Sequence, residues 1–104
     1  MFKAGSVASQ IDGGTIHQAI ILESGSLETF ALFLTTNPNW CRCSRRITKE
    51  EAALVGFYGQ IAKTYLAPVI RSTCDFVVEN DCTFPEHRVV ALKKEFPRYQ
   101  ADNS

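Results

Sequence analysis

Hydrophobic and polar positions alternate along the first third of the chain and then switch to a helical spacing. Residues 2–11 set Phe2, Val7 and Ile11 among small polar residues, which predicts a short, sparsely apolar strand. Asp12, Gly13 and Gly14 follow, and both glycines accept the positive φ that a two-residue hairpin turn needs. Residues 15–23 carry Thr15, Ile16, Ile20 and Ile21, so 2–11 and 15–23 are expected to pair as a hairpin. Beyond a turn at Ser24, Gly25 and Ser26, residues 27–36 put Phe30, Leu32 and Leu34 on one side and Ala31, Phe33 and Thr35 on the other. Both sides are partly apolar, as in a central strand. A brief apolar run also fits a short helix, but the turn residues at both ends and the Thr and Phe content favour the strand.

The period changes at Thr48. Thr48, Lys49, Glu50 and Glu51 fit a capping box, with Ile47 placed to staple against Ala52. Leu54, Phe57, Tyr58, Ile61, Ala62, Tyr65 and Leu66 continue as one helical stripe, and Pro68 closes it. The pattern predicts one long helix over residues 49–66. Gly56 and Gly59 interrupt it, each costing up to about 1 kcal/mol in a helix interior, and read as points of close packing on a sheet, with close approach of a ligand or a second subunit as the alternative.

Residues 74–79 resemble another strand, bounded by Asn80 and Asp81. Thr83, Phe84, Pro85 and Glu86 fit a second capping box, and Val89, Leu92 and Phe96 share one face before Pro97. Residues 84–96 are expected to form a short C-terminal helix, with a strand through 88–92 as the alternative. The expected fold class is α+β: a mainly antiparallel sheet of four to five strands, with the 49–66 helix on one face. The whole chain, 1–104, reads as a single domain with a loose tail over 99–104.

Composition changes this picture little. A chain of 104 residues can bury a core without metal or disulfide staples. The apolar runs are too short to span a bilayer, and the first residues lack the apolar segment of a signal peptide. The expectation is a soluble cytoplasmic protein without a membrane partner. Eleven basic residues balance eleven acidic ones, and a pI near 6.7 is too low for the basic face of a nucleic-acid binder.

Candidate chemistry gathers before the long helix. Arg42, Arg45, Arg46 and Lys49 form a basic loop beside Trp40, a combination able to hold an anion, a phosphate or a base; a solvated basic loop is the plainer reading. Four cysteines, Cys41, Cys43, Cys74 and Cys82, raise zinc, but Cys41-x-Cys43 lacks the usual spacing and a second close pair is missing. Cys43 also lies among arginines near a helix start, a setting that lowers a thiol pKa and would make it reactive. His17 reads as an exposed strand residue and His87 as a first-turn helix residue. No phosphate loop, dinucleotide fingerprint or zinc-protease motif is present.

No motif assigns an activity, and the balance is against an enzyme. The leading expectation is a non-catalytic binding module working as a homo-oligomer, a homodimer in its simplest form. Its support is the two-sided apolar strand at 27–36, whose second face would need a dimer, a small molecule or a protein partner to cover it. The alternatives are a small enzyme with a pocket between helix and sheet using Cys43 or His87, and an anion or nucleic-acid binder through loop 42–49.

Overall fold

A computed structural model describes residues 1–102. Six strands form one antiparallel sheet: β1 Val7–Asp12, β2 Thr15–Ser24, β3 Glu28–Thr35, β4 Arg45–Arg46, β5 Tyr65–Ser72 and β6 Phe76–Asn80. Their order is β4-β5-β3-β2-β1-β6. Two helices, α1 Lys49–Val55 and α2 Glu86–Glu95, complete a mixed α+β fold. Among the described residues no helix is long and apolar enough to cross a membrane.

The expected hairpin forms, with Asp12 opposite Thr15 across the Gly13–Gly14 loop. β3 extends it into a meander, and β6 returns to the free side of β1. The sheet has six strands rather than four or five, because β5 lies where the long helix was expected to end and the short β4, within the expected basic loop, pairs with it.

That helix is short. The Thr48 capping box is in place: the Thr48 hydroxyl accepts the Glu51 N–H at 3.1 Å, and Glu51 Oε1 accepts the Thr48 N–H at 2.9 Å. Gly56 then adopts φ +78°, and the Phe57 N–H turns back to the Ala52 carbonyl at 2.9 Å. This is a left-handed C-terminal cap of the Schellman type. Gly56 is thus a stop signal rather than an interior glycine, and α1 ends after seven residues.

Tyr65 to Ser72 instead pair along the whole of β3, from Tyr65 opposite Thr35 to Ser72 opposite Glu28. Pro68 is tolerated because its nitrogen faces the outer edge of β5, where its carbonyl accepts the Asp102 N–H at 2.9 Å. A proline on the outward side of a strand removes no ladder bond.

α2 is the expected C-terminal helix, although its second capping box does not form. Pro85 is the cap residue and provides no side-chain bond. Thr83 lies outside the helix because the next residue, Phe84, donates its N–H to the Gly5 carbonyl at 2.9 Å. The helix then buries Val89 and Leu92, with Phe96 just past its end.

At the centre of the sheet, along β3 and the adjoining parts of β2 and β5, both faces are buried within the one chain. On the helix face, Ile20, Leu22, Phe30, Leu32 and Leu66 pack with Val55, Val89, Leu92 and Phe96. On the other, Ala8, Ala19, Ile21, Ala31, Phe33, Val69 and Phe76 form a second cluster, capped by Phe2, Trp40 and Val78. Alanines give this face little height, so a few large side chains suffice to cover it. The need for an outside partner inferred from residues 27–36 is therefore met internally. Burying Phe33 contributes about 2–3 kcal/mol, more than the ~1 kcal/mol of each ring contact around it.

The tail is tied down as far as it is described. Arg98–Gln100 form a 3-10 turn, and Asp102 bridges to Val69. Asn103 and Ser104, the rest of the expected loose tail, lie outside the described residues.

Candidate functional site

The basic loop is anchored from below by Trp40. Its indole meets His17 edge-on at 5.3 Å and Phe33 at 5.8 Å between ring centroids. The indole Nε1–H donates to Asp102 Oδ2 at 3.2 Å. Arg71 reaches the same tail residue, donating from Nη1 to the Asp102 carbonyl at 2.7 Å, while its guanidinium lies 5.5 Å from the Phe33 ring centroid. Trp40, Phe33, Arg71 and Asp102 thus fix the entry of the cysteine loop against β5 and the tail.

His17 belongs to this anchor and is not the exposed strand residue expected. It is buried, stacked on Phe33 at 4.8 Å, with Nδ1 3.2 Å from the Leu34 carbonyl. Asp102 and Arg71 gave no sign of a role in the sequence, because a bridge between Val69 and Asp102 leaves no local pattern.

Residues 41–44 then make a turn. The Ser44 N–H bonds to the Cys41 carbonyl at 3.2 Å, and the Ser44 hydroxyl accepts the Cys41 N–H at 3.2 Å. This curl brings Cys41 Sγ to 2.7 Å from Cys43 Sγ, with both thiols free. Cys41, Arg42, Cys43 and Gln100 line an open cleft of about 400 Å³. Burial, and secondarily the neighbouring Cys41, push the Cys43 thiol up to about 12. That direction is opposite to the one suggested by the flanking arginines: Cys43 packs against the core, and the Arg45 charge is directed elsewhere.

Arg45 is half-buried and turned toward the fold. It grips Glu51 from Nη1 and Nη2, bonds Glu95 from Nε and Nη2, and lies 5.4 Å from the Phe96 ring centroid. One guanidinium therefore joins β4, α1 and the end of α2. Arg46 is exposed, with its guanidinium 6.0 Å from the ring of Tyr65, its cross-strand neighbour. Arg42 is exposed at the cleft. The structure thus leaves Arg42 and Arg46 at the surface and commits Arg45 to the protein.

The other sequence candidates lie apart. Cys74 is exposed beside Ser72, and Cys82 is exposed beside Asp81. Among the described residues, no three or more His, Cys, Asp or Glu side chains gather in a way that could hold a metal ion. His87 is in the first turn of α2, while Arg45 meets Glu95 in the last. His87 is not among the residues that line the cysteine cleft.

A different kind of surface lies at the far end of the sheet. Ile11 and Ile16 face each other across the β1–β2 hairpin and are 64% and 68% exposed. Val77, paired with Ser9 on the same face, is 69% exposed. Glu79, two residues along β6, accepts hydrogen bonds from the Ser9 hydroxyl and from Gln18 Nε2, the latter at 3.3 Å. β6 is the outermost strand here, with no strand on its outer side among the described residues.

Compared with protein-family models, curated proteins and solved structures, the chain has no significant match. Its function is therefore argued from its own geometry.

Proposed function

We propose that this protein is a non-catalytic interaction module that works as a homo-oligomer, with the Ile11–Ile16–Val77 surface and the open edge of β6 at the contact between copies. The observation that carries this proposal is the exposure of three large aliphatic side chains on one sheet face beside the outer edge of β6, which pairs with no further strand among the described residues. Isolated exposed hydrophobics need no explanation, but a contiguous group at a sheet edge is a liability unless something covers it.

A second copy is the favoured cover. Around a two-fold axis, the surface meets itself, apolar against apolar. Antiparallel pairing of β6 with its counterpart would also satisfy the outward backbone groups of both strands. The equal count of eleven basic and eleven acidic residues gives no net charge to oppose this approach.

Size-exclusion chromatography with light scattering tests the proposal on the full chain. The expected result is a dimer that becomes a monomer on Val77→Lys or Ile16→Lys, with the circular dichroism spectrum unchanged. Wild-type protein that stays monomeric at millimolar concentration overturns it.

A further inference from the structure

The cysteine loop supports a chemistry independent of the interaction surface. Three observations converge on it. The turn at 41–44 sets Cys41 Sγ and Cys43 Sγ at 2.7 Å, well inside sulfur–sulfur van der Waals contact. A disulfide bond is about 2.05 Å long, so closure needs an approach of only ~0.65 Å between these atoms. Both thiols line one open cleft, so a partner reaches them from solvent. The backbone that carries them is flanked by the Trp40–Asp102 bond on one side and the Arg45–Glu51 pair on the other.

We infer that Cys41 and Cys43 form a thiol–disulfide exchange site, which closes to an intramolecular disulfide by reducing a small disulfide such as oxidised glutathione. The order of events follows from their surroundings. The Cys41 thiol loses its proton to solvent, and its thiolate attacks one sulfur of the small disulfide. The incoming S–S bond breaks, and one thiolate leaves, taking up a proton to become a free thiol. Cys41 is now a mixed disulfide and carries no charge.

Cys43 is the resolving thiol. Part of what keeps it protonated is its contact with Cys41, and that part ends once Cys41 is capped. Cys43 then releases its proton and attacks Cys41 Sγ, expelling the second small thiol. Two protein thiols and one disulfide become one protein disulfide and two small thiols. The two electrons pass to the small disulfide, and the two released protons end on its thiols.

Cys74 and Cys82 provide an internal contrast. Both are exposed, and neither has another cysteine beside it. They can take up a small thiol as a mixed disulfide but have no neighbour to resolve it.

The test uses full-length protein equilibrated against glutathione buffers of increasing oxidation, quenched with an alkylating reagent and mapped by peptide mass spectrometry. A Cys74→Ser/Cys82→Ser variant, altered only at exposed positions, keeps the count unambiguous. The expected result is joint loss of both remaining alkylatable thiols in a single step, without retained glutathione, and full recovery on reduction. Adding Cys43→Ser is expected to leave glutathione attached at Cys41. If residues 41 and 43 remain alkylatable in the most oxidising buffer, or if glutathione stays on either while both cysteines are present, the exchange site is refuted.

Discussion

Arg45 holds Glu51 through two parallel hydrogen bonds, from Nη1 at 2.7 Å and from Nη2 at 2.8 Å. Glu51 is also the return arm of the α1 capping box, so one carboxylate serves both the helix start and the junction with β4. With the Glu51 side chain only 5% exposed, removing Arg45 leaves a largely buried charge without its main partner. Arg45→Ala is expected to cost about 2–3 kcal/mol, at or below the lower limit for breaking a buried pair, because Arg45 itself is partly exposed. Urea denaturation of Arg45→Ala, Glu51→Ala and the double variant checks this. The two single losses should exceed the double loss by more than about 1 kcal/mol.

The same pair gives the stability a direction with pH. Burial alone would raise the Glu51 carboxyl, but hydrogen bonds from Arg45 and from the Thr48 amide outweigh it and hold the group below its ordinary value of 4.5. Glu23 is lowered too, by its hydrogen bond from Lys93 against a smaller opposing effect of burial. The unfolded chain therefore binds these protons first as pH falls. Their contribution is complete above about pH 4.5 and is lost as pH drops through the lower native values. The urea midpoint should be flat from about pH 7 to 5 and decline below that. Glu51→Gln should decline less steeply, and an unchanged slope would remove Glu51 as a cause.

Two glycines separate backbone conformation from space. Gly56 has φ +78° but nothing within 4 Å of where a Cβ would stand, so Gly56→Ala should cost only the left-handed backbone, about 1 kcal/mol. Gly5 has φ +92°, and a Cβ there would lie 2.4 Å from the Phe84 carbonyl oxygen. Gly5→Ala adds that clash to the backbone cost and should lose about 3 kcal/mol or more. Thermal melts of the two variants rank them directly, and equal losses would mean the Phe84 contact yields easily.

Trp40 is the only tryptophan, and its bond to Asp102 ties the cysteine loop to the tail. Trp40→Phe keeps most of the ring burial and loses that hydrogen bond, an expected cost of about 1 kcal/mol. Asp102→Ala should red-shift the tryptophan emission and speed amide exchange over residues 40–44. Emission and exchange matching the wild type would mean the loop is held without the tail.

Much of the fold is legible because it is written locally. The hairpin at Gly13–Gly14, the two-sided strand β3, the Thr48 capping box and the Val89–Leu92–Phe96 face are signals confined to a few neighbouring residues, and each appears in the structure. β5 is hidden because Tyr65 and Leu66 fall at helical spacing from Ile61, while a strand pairing with β3, 30 to 44 residues earlier, leaves no mark on that spacing. Pro68 reads correctly as excluding helix, but nothing local shows that its bare nitrogen faces an outer edge.

The sequence by itself determined the α+β class, the meander and the place where α1 begins, since capping and turn geometry depend on residues within one turn of each other. Tertiary structure decided everything that depends on distant partners. It buried His17 under Trp40, sent Arg45 to Glu51 and Glu95, and brought Asp102 to Val69. It also reversed the expected direction for Cys43, because desolvation by the core and the sulfur of Cys41 act over a few ångströms. Charged neighbours in sequence count for little when the fold directs their charge to other partners.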